Sequence, residues 1–235
     1  MTLEALFEEV DRPRKEFVVY TGASDADVVE RFAARNADVE HRTLPDEDAE
    51  GFLVVRERGG FAGALPVAEL RRLFEAAILD PWDLENVDED HRALFDLLDG
   101  TVFASLDRRR MLAASREVEE HAWRVGAGTL CAGFQTAAAF GKQRRVYERL
   151  ADETALDIHA YAGTVPDDAH AGIAFHTEPA SVVEGFWFVA FDGCGDDARK
   201  CAVVGRQRHA ETYAGFWTYD PGTVQAVFDA VPTGR

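Results

Sequence analysis

Lysine and cysteine are both scarce in this chain. Only Lys15, Lys142 and Lys200 occur among its 235 residues, and the cysteines are Cys131, Cys194 and Cys201. Three irregularly spaced cysteines exclude a disulfide scaffold and point to a reducing compartment, the cytoplasm. No apolar run nears the roughly 20 residues that span a bilayer, so no membrane partner is expected. The opening stretch, MTLEALFEEVDRPRKEF, lacks the basic and apolar regions of a signal peptide. A basic footprint is missing as well. Asp and Glu total 43 against 25 basic residues, a net charge of -18, which argues against direct contact with nucleic acid.

What is present is a globular composition, 47% hydrophobic and 11% aromatic, long enough for one large domain or two small ones. Carboxylates spread along the whole chain, with arginine in place of lysine, resemble the composition of a halophilic archaeal protein. At about 1 M salt the Debye length is only about 3 Å, so such a surface no longer repels itself. The chain is therefore expected to loosen in dilute buffer.

Hydrophobic periodicity divides the chain into two units. In the first, EFVVYTG (16–22) reads as a strand and Ser24 caps a helix over 25–35. DVEHRTL follows as an edge strand, and GFLVVRERGGFAGAL as a hairpin turning at Gly59-Gly60. Pro66 then opens a helix. An acidic, turn-rich stretch, DPWDLENVDED, leads to a short helix near HRALFDLLDG, and then to a long helix over 106–125. In the second unit TLCAGF, LDIHAYA, FWFVAF, KCAVVG and YAGFWTY read as strands. A helix runs from about Thr136 to 150, and Asp220-Pro221 starts the last one. Both units share Gly-Phe before an apolar strand (51–52, 185–186), an aromatic-Ala-Gly strand (61–63, 213–215) and a proline before the last helix (66, 221). The expected fold is α/β (α+β-like): two related units, each a mixed sheet packed with helices, joined by the long helix. The expected domains are 1–105, including the acidic linker, and 106–235.

The stretch FWFVAFDGCGDDARKCAVVG (186–205) tests for chemistry. Gly193 to Ala198 spells G-x-G-x-x-A after a strand, but a strand rather than a helix follows, and Asp196 and Asp197 would repel phosphates. Asp192, Asp196 and Asp197 lack EF-hand spacing, and Cys194 and Cys201 lack the paired spacing of zinc knuckles. The stretch reads as an acidic hairpin turn. No G-x-S-x-G elbow, Walker loop or H-E-x-x-H occurs. Of the seven histidines, His159, His170 and His176 are the ones that could converge. No enzyme is expected, nor a metal site, and no cofactor is specified. An unassigned catalytic role would fall to Asp192, His159 or Cys131.

Aromatic and amphipathic residues concentrate in the second unit. Phe134, Trp187, Phe216, Trp217 and Tyr219, with Gln135, Gln143, Tyr147 and Asp220, suit a mostly apolar ligand pocket with polar anchors; simple core packing is the competing reading. Lys142, Arg144 and Arg145 head the densest basic cluster, GKQRRVYER (141–149), and suit an acidic partner unless neighbouring carboxylates claim them.

The segment ASREVEEHAWRVGAGTLCAGFQTAAAFGKQRRVYERLA (114–151) resembles the opening of the DICT sensory domain. FVAFDGCGDDARKCAVV and, most closely, YAGFWTYDPGTVQAV resemble its end, so the likeness covers about 114–231. The whole chain resembles a stand-alone halophilic archaeal form. The resemblance implies a non-catalytic signal-transduction module that binds a small ligand or a regulatory partner; a ligand-free scaffold for a separate transcriptional or signalling regulator is the alternative. Family members often precede output domains. With none expected after residue 231, signalling would pass through a separate protein or a homodimer.

Overall fold

A computed structural model describes residues 1–11, 15–22, 36–46, 49–75, 78, 80–86, 96–179, 182, 185–209 and 212–231. The helix expected over 25–35 and most of the helix expected near 91–100 lie outside the described residues.

The first sheet has four strands: β1 (Lys15–Thr21), β2 (Ala37–Thr43), β3 (Phe52–Glu57) and β4 (Gly60–Pro66), in the order β2-β1-β3-β4. β1 and β2 are parallel and the other pairs antiparallel, so the sheet is mixed. The hairpin turns at Arg58 and Gly59, one residue earlier than expected. Both take positive φ, as a two-residue turn matched to strand twist requires. Helix α2 (Val67–Glu75) follows Pro66.

The second sheet has seven strands. They are β5 (Phe103–Asp107), β6 (Ala127–Gln135), β7 (Ala155–Ala162), β8 (Ile173–His176), β9 (Phe186–Phe191), β10 (Cys201–His209) and β11 (Thr212–Thr218), in the order β5-β11-β10-β9-β6-β7-β8. β6, β7 and β8 run parallel and the remaining pairs antiparallel. FWFVAF is β9, buried at all six positions as a central strand should be. Strands β5 and β8 were not anticipated; each is short and lies at a sheet edge.

The two-unit α/β architecture is present; the chain enters the second sheet at its edge strand β5, and the long helix α3 (Arg108–Val125) leads from there to β6. Asp107 caps α3, accepting from the Arg110 amide at 2.8 Å, and Gly126 ends it in the left-handed region at φ 69°. The helix expected from Thr136 to 150 breaks at Lys142-Gln143 into α4 (Ala137–Gly141), capped by Thr136, and α5 (Arg144–Glu153). Asp220 and Pro221 start α6 (Pro221–Ala230), with Asp220 accepting from the Thr223 amide at 2.8 Å.

Each face of the second sheet is covered differently. One core joins Phe17, Val19, Leu53 and Val55 of the first sheet to Met111 and Val118 of α3, and to Phe134, Val189 and Val203 of the second sheet. The other face is closed by α6 and by an unanticipated helix, α1 (Leu3–Val10), whose Leu3, Leu6, Phe7 and Val10 bury against Phe186 and Phe216. Asn36, 3% exposed, fastens the first sheet to these elements. Its amide donates to the carbonyls of Val10 (2.9 Å) and Gly100 (2.8 Å), and its oxygen accepts from the Val102 amide at 2.8 Å.

The segment after β9 is a turn, as its sequence suggested. Two 3-10 turns, Gly193–Gly195 and Asp197–Arg199, link antiparallel β9 and β10. Asp192 organises the turn from within, accepting from the amides of Thr129 and Cys194, each at 2.9 Å.

Candidate functional site

An 18-residue helix on a protein surface leaves a polar face in water. Helix α3 does not. Arg116, Glu117, Glu119 and Glu120 are all at most 6% exposed, because the second sheet packs on one side of the helix while the 3-10 turn Pro81–Asn86 packs against another. Buried charges of this kind must be paired.

Much of the pairing comes from the loop and helix that follow β6. Arg116 donates to the Glu119 carboxylate one turn along the helix and to the side-chain oxygen of Gln143, which stands just before α5. Tyr147, fully buried on α5, donates its hydroxyl to the other oxygen of Glu119 at 2.7 Å. Burial pushes the Tyr147 phenol well above its ordinary range, and the Glu119 charge pushes in the same direction. Burial works against the Arg116 charge, but Glu119 more than offsets it and leaves the guanidinium above its usual value. On the sheet side, Trp187 Nε1 donates to Ser115 Oγ at 2.9 Å, and Ser115 donates to the Met111 carbonyl at 2.9 Å. Glu120 pairs with Arg124 at 2.6 Å. Glu117, Glu120 and His121 bring three ligand-type atoms within 4.8 Å of one another, the one such grouping among the described residues. Each of the three has further interactions of its own.

The residues singled out in the sequence fall into several places rather than one pocket. Phe134 and Tyr147 meet edge to face, with ring centroids 5.0 Å apart, beside Gln143. Trp187 lies under the Arg108 guanidinium at 5.4 Å and against Tyr213. Trp217 stacks on Phe103 at 5.1 Å, and Tyr219 meets His121 edge-on at 6.1 Å. The strands of Phe134 (β6) and Trp217 (β11) are three strand spacings apart, roughly 14 Å. Phe216 points to the opposite face, 5.7 Å from Phe7. Gln135, with φ of 62° at the end of β6, bonds Gln207 at 3.2 Å. Asp220 caps α6.

The basic cluster is largely spent inside the molecule. Arg144 pairs with Asp168; Arg145 pairs with Asp80 and lies 5.7 Å over Trp82. Lys142 is exposed. Arg149 sits 4.0 Å over Trp82 and 5.4 Å from Trp123, so these arginines clamp the 81–86 turn onto α3.

Of the three histidines that could converge, two do. His159 Nδ1 and His176 Nε2 are 2.8 Å apart, and Asp157 lies 3.2 Å from the other nitrogen of His159. His170 instead pairs with Asp152 at 3.2 Å. Burial, reinforced by His159, lowers the His176 pKa. Cys131 neighbours His159 across the parallel strands, but burial pushes its thiol up to about 12, which leaves it a poor nucleophile.

Sequence reasoning missed Arg116 and Glu119. The available signal was REVEEH, four charges within a helix otherwise defined by Met111, Ser115, Val118 and Ala122. Asn36 and the Tyr147 partnership carried no local signal at all.

Residues 93–207 match the model of DICT, described as a sensory domain in diguanylate cyclases and two-component system. The match spans β5 through most of β10, takes in α3 with its buried charges, and supports assigning this segment to that family. It ends before β11 and α6, although YAGFWTYDPGTVQAV had looked most alike. No curated protein matches the chain. Among solved structures, a polyphosphate kinase from Porphyromonas gingivalis aligns over 96% of this chain at 10% identity, with a TM-score of 0.33. The chain spans 46% of that protein's length, and at such a score the likeness carries no argument. Among the described residues no helix is long and apolar enough to cross a membrane.

Proposed function

We propose that this chain is a non-catalytic signal-input protein of the cytoplasm, in which a bound small ligand or a docked signalling or transcriptional regulator shifts the setting of helix α3. The observation that carries this reading is the buried layer Arg116–Glu119–Tyr147–Gln143, inside the segment that matches a sensory family. A half-broken buried ion pair is costly, so such a layer favours discrete arrangements over gradual drift, as a two-state signalling element needs. Phe134, Gln143 and Tyr147 are the sequence-expected ligand residues in contact with this layer or next to it. Trp187 reaches the same helix through Ser115. Residues 106–235 form the sensing unit in this reading. The acidic, lysine-poor surface fits a salt-rich cytoplasm of the halophilic archaeal kind, and a melting temperature equal at about 0.1 M and about 3 M KCl would remove that part of the proposal.

Native mass spectrometry of the protein from its own cells, followed by hydrogen exchange over 108–125, tests the sensory reading. A stoichiometric ligand or partner whose release changes exchange across α3 supports it. A bare monomer, or a binder that leaves α3 exchange unchanged, overturns it. Gln143→Ala and Trp217→Ala variants that stay folded and bind unchanged would place the site elsewhere.

A further inference from the structure

Glu117, Glu120 and His121 stand at i, i+3 and i+4 of α3, the spacing that brings side chains to one face of a helix. Their three ligand-type atoms lie within 4.8 Å of one another. Around a tetrahedral ion held at about 2.0–2.2 Å, ligand atoms are about 3.4 Å apart, so side-chain rotations of about 1 Å close the group. Both carboxylates are buried, unlike the solvated acidic pairs of a surface helix.

The set is not purely acidic, and two of its atoms keep the capacity to coordinate. His121 has other contacts, but its Nδ1 is buried and makes no hydrogen bond among the described residues. Glu120 Oε1 lies 2.6 Å from Arg124 Nε, yet the two lack the alignment of a hydrogen bond. A buried carboxylate oxygen and a buried imidazole nitrogen in this state are costly, and a cation between them removes both costs. Arg124 stands in the last turn of α3 with a third of its side chain in water, so it can turn outward as an ion enters past half-buried His121. Two carboxylates with one imidazole select a first-row transition ion over magnesium or calcium, which take oxygen ligands.

We propose that α3 binds a divalent transition-metal ion of the zinc class through Glu117, Glu120 and His121. The site lies beside the Arg116–Glu119 pair on the same helix, but it does not depend on the sensory reading. A metal that binds here and leaves exchange over 108–125 unchanged would keep the site and remove the metal as a signal. Exchange across α3 that answers to another ligand, with no metal bound, would do the reverse.

Cobalt(II) chloride titrated into the chelator-treated full chain, followed by visible absorption, is the test. A saturable one-to-one spectrum is expected, displaced by zinc and unmoved by a large excess of magnesium. His121→Asn and Glu117→Gln should each weaken binding at least about tenfold, since loss of a supporting contact at a metal site already costs about 10–100-fold. Zinc should also raise the melting temperature of the parent chain and not that of His121→Asn, whose fold is checked by circular dichroism. Glu117→Gln keeps the test open if His121→Asn does not fold. His176→Gln and Cys194→Ser remove a competing imidazole and the exposed thiol, and should leave the spectrum unchanged. No saturable spectrum, displacement by magnesium, or loss of binding in His176→Gln or Cys194→Ser would each overturn the proposal.

Discussion

Replacing Glu119 by glutamine changes one oxygen for one NH₂ and almost no volume, so it isolates charge from packing. Glu119 is 1% exposed and accepts from both Arg116 and Tyr147. The glutamine leaves the Arg116 guanidinium buried without its counter-ion, and such one-sided breaks cost about 3–5 kcal/mol. Against a total stability of about 5–15 kcal/mol this is a large fraction. For a chain of this length about 2–4 °C is lost per kcal/mol, which places the drop in melting temperature at about 6–20 °C. Urea unfolding followed by circular dichroism supplies the free energy, and scanning calorimetry the midpoint. Because the pair is buried, the loss should persist at high salt, unlike that of a surface bridge. Adding Arg116→Met should recover roughly half of it, since the stranded cation is then gone. A loss below about 1 kcal/mol, or no recovery in the double variant, would refute the claim that this layer holds α3 in place.

Three further outcomes are expected. Gly133→Ala drives a methyl group into the Phe188 ring and should cost about 1–3 kcal/mol, whereas Gly205→Ala meets only the flexible end of Met111 and should cost less; urea midpoints that reverse this order would disprove the packing described for the second sheet. Asn36→Ala leaves a buried carbonyl, a half-buried carbonyl and a buried amide without this partner and should cost about 3 kcal/mol, against a near-neutral result if the junction is not held there. The lowered His176 pKa means that the unfolded chain binds more protons than the folded one between the folded value and about 6.5. Its stabilising contribution is therefore complete above about pH 6.5 and lost as pH falls through the folded value. His176→Gln should flatten that part of the curve, with Asp157 and His159 still facing the position; an unchanged slope would assign the dependence elsewhere.

The parts of this fold written in local pattern were legible. The unbroken apolar run of β9, the Asp220-Pro221 start of α6, and the Gly126 stop of α3 each follow from a residue's own backbone or burial preference. Edge strands β5 and β8 were not legible, because four or five residues paired on one side need little hydrophobicity of their own. Helix α1 was missed because its start was weighed only as a leader peptide, although Leu3, Leu6, Phe7 and Val10 recur at helical spacing. At the site, Gln143 and Tyr147 stood out as polar atoms on an apolar helix face. Their partners did not, since Arg116 and Glu119 in a charged helix look solvated until the elements around the helix are known. The proline-led helices and Gly-Phe openings shared by the two units do fall on α2 and α6 and on β3 and β9. The second sheet nonetheless carries three more strands than the first.

The position of α1 also bears on synthesis. Phe7 packs 5.7 Å from Phe216, some 200 residues later in the chain. At about 5–20 residues per second, the ribosome takes roughly 10–40 s to deliver the surface that this first helix must cover. Throughout that interval Leu3, Leu6, Phe7 and Val10 form an apolar stripe without its final strand. Slowing translation late in the message should therefore raise aggregation of the nascent chain more than slowing it early.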